Sequence, residues 1–193
     1  KNKKLSYDSI NCYQLLNYIP FSHTPFENIK RVPKNTSLRF TLSDKRFVLN
    51  TNNVKKNFKK FEYNKNINEF ESNLTEIIKL HLNTDVPISA LLSGGIDSSV
   101  LCLLISKITK DIETFSISFG NAEVSEENEI KSFAKQLGLK NNIIKPTIDD
   151  FYNFYTQSSE IYDEPFSDSS SINTYVISKI VANKYKTCIT GDG

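Results

Sequence analysis

Methionine is missing from all 193 residues, histidine occurs twice and cysteine three times. The cysteines, Cys12, Cys102 and Cys188, are odd in number and show no C-x-x-C spacing, so no paired-cysteine motif is present. Cys102 and Cys188 lie in apolar segments and read as small buried hydrophobes. His23 and His81 have no partner spacing and read as surface or helix-end residues. No apolar stretch is long enough to span a bilayer and no signal peptide is recognisable, so the expectation is a cytoplasmic chain that avoids membranes. Charge of one sign is also scarce: the net value is +2, which makes no electrostatic case for nucleic acid. The Lys-Asn runs between about 50 and 68 read as a solvated linker. Three loop motifs are absent as well. There is no Gly-Lys-Ser/Thr of a Walker loop, no G-x-G-x-x-G of a dinucleotide turn and no G-x-S-x-G nucleophile elbow.

What remains is an ordinary composition, 38% hydrophobic and 24% charged, and a length that buries one good core with an appended piece. Without a methionine, Lys1 does not read as a translation start. Thr190-Gly191-Asp192-Gly193 breaks off inside what reads as a loop. The expectation is a piece of a longer protein.

Residues 1–50 have their own texture, with Pro20, Pro25 and Pro33 punctuating a loop-rich stretch. Alternation in Leu38-Arg39-Phe40-Thr41-Leu42 and Phe47-Val48-Leu49 predicts a hairpin. Residues 51–66 read as a polar linker. From 67 onward the period changes. Ile67, Phe70, Leu74, Ile77, Ile78 and Leu82 share a helical face, and a strand follows Pro87. A helix runs to about Ile108, and Phe115, Ile117 and Phe119 alternate with serines as a second strand. The helical face of Ile130, Phe133, Ala134 and Leu137 ends at Gly138. A short strand over 142–145, a helix over 149–160, a last helix through Ile172–Ile180 and a strand at 188–190 complete the pattern. Strands alternating with helices predict an α/β domain, a parallel twisted sheet with helices on both faces. Ligands of such sheets sit beyond the carboxyl ends of the strands.

One of those ends carries Ser93-Gly94-Gly95-Ile96-Asp97-Ser98-Ser99, directly after the apolar run 88–92 and directly before a helix. A helix that opens from a glycine loop collects unpaired N–H groups at its positive end and holds phosphate there. Gly94 and Gly95 allow positive φ and close approach, and Ser93, Ser98 and Ser99 add hydroxyl donors and a possible cap. Asp97 would repel a phosphate unless a cation lay between them, and Mg²⁺ suits that place. A plain glycine-rich turn is the competing reading. Two glycines, three serines and an acid at a strand end favour the nucleotide loop. Gly191–Gly193 follows the last strand, and both loops are expected at one edge of the sheet.

The Ser93–Ser99 loop resembles the pyrophosphate loop of the N-type ATP pyrophosphatases and, within that group, the asparagine synthase family. Leu91-Leu92 before the loop, Thr114–Phe119 after it, Asp163-Glu164-Pro165-Phe166-Ser167-Asp168-Ser169-Ser170 and Thr190–Gly193 carry the likeness. Tyr18-Ile19-Pro20, Thr24-Pro25-Phe26, Ile29 and Val32-Pro33 resemble the segment that closes that family's N-terminal glutaminase domain. The resemblance implies an adenine nucleotide α-hydrolase-like fold over 67–193, preceded by a glutaminase remnant over 1–50. It implies ATP and Mg²⁺ as cofactors, aspartate and glutamine or ammonia as substrates, and leaves a homodimer open. The implied reaction is amidation of aspartate through an aspartyl-adenylate, with AMP and pyrophosphate released. Leu91 and Ile117 would flank the adenosine, Ser93, Gly94, Gly95, Ser98 and Ser99 the phosphates, and Thr190 and Gly191 the nucleotide. Asp97 would hold the metal, and Asp192 would assist adenylate formation.

Asp163, Glu164 and Asp168 also invite a metal reading, against which stands a capping role for the next helix. The family's glutaminase nucleophile is an N-terminal cysteine. Residue 1 is Lys here, and Cys12, in a helix-like segment, does not take that part. A sister amidotransferase acting on another carboxylate, such as a sugar acid of surface polysaccharide, and a non-catalytic nucleotide-binding remnant are the alternatives. A thiolation or NAD-forming ligase with a similar loop is a further one.

Overall fold

The computed structural model describes residues 3–20, 23–51, 67–118 and 127–191. Residues 52–66 of the expected 51–66 linker, Phe119 and Asp192 lie outside them, whereas Thr51 belongs to a strand. By internal contacts the chain forms two compact units, residues 1–63 with 156–168, and residues 64–155 with 169–193. The loop that carries Asp163 and Glu164 thus belongs with the amino-terminal segment, a pairing that no local sequence pattern encodes.

In the first unit, helix α1 (Tyr7–Leu16) starts at Ser6, whose side chain accepts from the Ser9 N–H, and ends at Asn17 in the left-handed region (φ 62°). Strands β1 (Thr36–Thr41) and β2 (Arg46–Thr51) form the expected hairpin, antiparallel in the register Thr36↔Thr51 to Thr41↔Arg46. Arg31 forms an ion pair with Glu164, and the Ser167 N–H donates to the Asn17 carbonyl (3.1 Å). A cation therefore partners Glu164. Among the described residues no group of three His, Cys, Asp or Glu could hold a metal.

The second unit contains α2 (Ile67–Leu82), β3 (Ile88–Leu91), α3 (Ile96–Ile108), β4 (Glu113–Ile117), α4 (Glu127–Leu137) and β5 (Lys140–Ile144). The start of α5 (Ile148–Ile161), then α6 (Ser170–Val181) and β6 (Thr187–Ile189), complete it. The sheet runs β5-β4-β3-β6, and every pairing is parallel. The expected α/β architecture is present, with helices on both faces. On one side Ile78, Leu101, Cys102, Leu104, Ile105, Ile130, Ala134 and Leu137 of α2, α3 and α4 pack with Ala90 and Leu92. On the other, α6 lies against β4, Phe115 meets Tyr185 edge-on at 5.7 Å, and Phe154 meets Tyr175 at 5.5 Å.

Local signals account for most element ends. Gly138 takes φ 68° and stops α4, because a left-handed residue lets the last carbonyls close on the following N–H groups. The Leu139 N–H donates to the Ala134 carbonyl at 3.0 Å. Of the cysteines, Cys102 is fully buried and its thiol is pushed up to about 12 by that burial. Cys188 is only half-buried, so the sequence expectation holds for the first and not for the second. Strand alternation also separates them. Ala90 pairs with Ile189 on the Cys102 side, whereas Cys188 pairs with Ser89.

Candidate functional site

Strand order places the site. From β3 the chain steps to β4 and then β5 on one side, whereas β6 returns to the other side of β3. The strand order thus reverses at β3, and the carboxyl ends of β3 and β6 are where a ligand crevice belongs in such a sheet. A cleft of about 230 Å³ lies there, lined by Leu91, Ser93, Gly95, Asp97, Ser98, Thr190 and Gly191. All seven are residues expected from the sequence, drawn from two segments about a hundred positions apart. Gly94, Ser99 and Ile117 do not line it, although Ile117 closes β4 at the same sheet edge.

The loop holds its shape through one buried hydroxyl. Ser98 Oγ accepts from the Ser93 N–H at 3.1 Å and lies 2.8 Å from Ser93 Oγ. It also lies within donating distance, 3.1 Å each, of the Ser93 and Gly95 carbonyls. A hydroxyl has one proton, so these donations alternate while the accepted bond persists. Ser93 Oγ in turn accepts from the Gly95 N–H (3.2 Å). Ser98 is thus occupied within the loop, and the exposed polar groups of the cleft come from Ser93, Asp97, Thr190 and the backbone.

Two sequence expectations about this loop change. The helix cap falls on Gly95, not on a serine, and no side chain caps it. Among the described residues no side chain therefore caps the N–H groups of the first turn of α3, at the positive end of a 13-residue helix. The expected positive φ is also absent. Gly95 has φ −77°, and among the described residues the only glycine in the left-handed region is Gly138. Glycine serves closeness here instead. A Cβ on Gly191 would sit 3.0 Å from Ser98 N and 3.3 Å from Asp97 C and Ser98 Cα. The backbone after β6 touches the backbone of the first turn of α3, and only a residue without a side chain permits that.

Asp97 is exposed, lines the cleft and joins no ion pair among the described residues. One carboxylate beside an anion site fits Mg²⁺, which takes one or two carboxylates and completes its shell with phosphate oxygens and water. Asp163, Glu164 and Asp168 contribute nothing to this cleft, and the cap of α6 falls on Ser169 rather than on an acid.

The residues that anchor the loop from below had no site role assigned from the sequence. The Leu92 N–H donates to the Phe115 carbonyl (2.8 Å), and the Leu92 carbonyl accepts from Ser116 Oγ (2.5 Å). Ser116 had only the signal of a small polar residue in an alternating strand.

Fold and crevice together define a parallel α/β domain with a cleft at the carboxyl ends of its strands. The model of the asparagine synthase family matches residues 69–193, and the chain belongs to that family. Over 190 residues it is 25% identical to asparagine synthetase 1 (glutamine-hydrolyzing) of Bacillus subtilis, covering 96% of this chain and 29% of that protein. A Methanocaldococcus jannaschii protein with the provisional name asparagine synthetase 2 (glutamine-hydrolyzing) is 29% identical over 197 residues, 100% of this chain and 38% of that one. The chain therefore spans about a third of the length of these curated relatives. Among solved structures, the NH3-dependent NAD synthetase of Campylobacter jejuni aligns with a TM-score of 0.48 at 16% identity, over 65% of this chain and 56% of that one. That likeness is too slight to bear on chemistry.

Proposed function

We propose that this chain carries the ATP site of a glutamine-dependent asparagine synthetase. The observation that carries the reading is the single crevice at which the Ser93–Ser98 loop and the Thr190–Gly191 turn meet, inside the segment that matches the family. In this reading the aspartate side-chain carboxylate attacks the α-phosphorus of ATP. The bond from that phosphorus to the bridging oxygen breaks, pyrophosphate leaves, and β-aspartyl-AMP remains. Ammonia derived from glutamine then attacks the acyl carbon, and AMP departs as asparagine forms.

The chain's part in this is positioning and charge balance, which dominate phosphoryl chemistry. The uncapped N–H groups at the start of α3 and the Ser93 hydroxyl hold the departing pyrophosphate, with Gly94 and Gly95 giving close access. Ser99 supplies a further donor, while Ser98 keeps the loop closed around the anion. Leu91 and Ile117 flank the adenosine, and Thr190 and Gly191 border it from the other strand. Asp97 would hold Mg²⁺. A cation held there would offset the triphosphate charge. Asp192 assists adenylate formation. Residues 1–50 are the end of a glutaminase domain and 51–66 a linker to the domain over 67–193. The working site is the cytoplasm, with small-molecule substrates and no nucleic acid.

The test is product identity. The full natural polypeptide is incubated with ATP, Mg²⁺, aspartate and ammonium, and the nucleotide formed is identified by chromatography. AMP that appears only with aspartate is expected. ADP in its place would sink the reading, and AMP formed regardless of aspartate would move it to another carboxylate. Residues 1–193 alone are expected to show weak or no synthetase activity.

A further inference from the structure

We infer that Ser116 is a positioning residue for the nucleotide loop, and that Asn141 sets the direction in which Ser116 points its proton. The inference rests on the ATP-site reading above and concerns residues outside the cleft.

Main-chain pairing between β3 and β4 ends at Leu91↔Phe115. One residue later the chain must leave the sheet and turn into the loop. At that point the Ser116 hydroxyl takes over, donating to the Leu92 carbonyl at 2.5 Å. Ser116 is 2% exposed, so no water competes for the bond. Leu92 is held from both sides by β4, its N–H by the Phe115 carbonyl and its carbonyl by Ser116. The next residue, Ser93, begins the network that shapes the loop.

The polarity of this bond is fixed further out. Asn141 Nδ2 donates to both Ser116 Oγ and Thr114 Oγ1, 2.9 Å each. Thr114 Oγ1 spends its own proton on the Lys140 carbonyl (3.2 Å). Each hydroxyl thus accepts one amide proton and donates its own away from Asn141, which for Ser116 means toward Leu92. The arrangement has a visible cost. Asn141 Oδ1 is buried and has no hydrogen-bond partner among the described residues. Turning the amide over would give that oxygen two donors, but it would leave the Nδ2 protons without an acceptor and draw the Ser116 proton off Leu92. Either orientation leaves one end of the amide unpartnered, and the one present is the one that keeps the Ser116 proton on the Leu92 carbonyl.

The experiment compares Ser116→Ala and Asn141→Asp with the wild type in the full natural polypeptide. Mg-ATP binding is measured by calorimetry, and the KM values for ATP and for aspartate are measured separately. Ser116→Ala releases the Leu92 carbonyl. Asn141→Asp keeps the serine but offers it a carboxylate, so its proton turns away from Leu92. Both variants are expected to weaken ATP binding roughly tenfold, a shift smaller than the about hundredfold that a full ångström of misplacement can cost at a preorganised site, with the aspartate KM unchanged. Wild-type ATP affinity in either folded variant overturns the inference, as does an aspartate KM that rises in step with that for ATP. Failure of both to fold overturns it too, since the network would then be structural alone. A wild type that binds no ATP defeats the ATP-site reading itself, which is a separate result.

Discussion

Replacing Gly191 by alanine puts a methyl group where two backbones meet. Its carbon would lie 3.0 Å from Ser98 N and 3.3 Å from Asp97 C and Ser98 Cα, whereas relaxed contacts of carbon sit at about 3.5–4.0 Å. The shortfall is about half an ångström. The neighbour is the first turn of α3 rather than a side chain that could swing away. Gly191 is also not in the left-handed region, so the backbone conformation itself suits alanine and the clash is the whole effect. Overpacking of this kind costs about 1–3 kcal/mol, and each kcal/mol lowers Tm by about 2–4 °C for a chain of this size. The larger effect falls on ligand binding, because the displaced groups are the N–H donors and the Asp97 carboxylate that face the cleft. Mg-ATP affinity, measured by calorimetry beside a thermal melt, is expected to drop about tenfold or more. Gly95→Ala is the comparison, since its Cβ meets only the Ser93 hydroxyl at 3.3 Å, an atom that can rotate. Gly191→Ala with unchanged affinity and Tm would refute the close-approach argument, as would a Gly95→Ala variant more damaged than Gly191→Ala.

Asp97→Asn should abolish Mg²⁺-dependent ATP turnover while unfolding stability stays within about 0.5 kcal/mol of wild type; an active variant removes Asp97 from the metal role. Gly138→Ala meets no atom nearer than 3.9 Å but must adopt φ 68°, so it should cost about 1–2 kcal/mol through the backbone alone, read from urea melts. Glu113 receives hydrogen bonds from Lys140 and Lys184, which hold its carboxyl down at about 2 against an ordinary 4.5. Because the folded value lies below the unfolded one, the resulting stability is present above about pH 4.5 and is lost as pH falls toward 2. Glu113→Gln should flatten that part of the curve of urea midpoint against pH, and an unchanged acid slope would count against the pairing.

Much of the fold was open to a reading of residues in order. Helical spacing at Ile67–Leu82 and Ile130–Leu137, the Gly138 stop and the hairpin either side of residues 42–45 all reappear in space. These signals are local: a period of 3.6, a left-handed residue and alternation across a turn each act within a few positions. The loop at Ser93–Ser99 was legible for the same reason, since strand, glycines and helix entrance are contiguous. What could not be read were relations between distant segments. Glu164 invited a metal reading beside a capping one, and its ion pair with Arg31, 133 positions earlier, was not legible in the sequence.

By itself, then, the order of residues determined the parallel α/β pattern, the place of the phosphate-type loop and the expectation that a second loop after residue 189 would share its edge. The tertiary structure decided how the two loops join. Placing β6 beside β3 rather than beyond β5 brings Gly191 against the first turn of α3, and that contact gives the glycine its purpose. It likewise turned Ser116 and Asn141 from strand residues into the support beneath the loop. The physical reason is the same in each case. Backbone preferences are written locally, whereas van der Waals exclusion and buried hydrogen bonds act between whatever atoms the packing brings within about 3–4 Å.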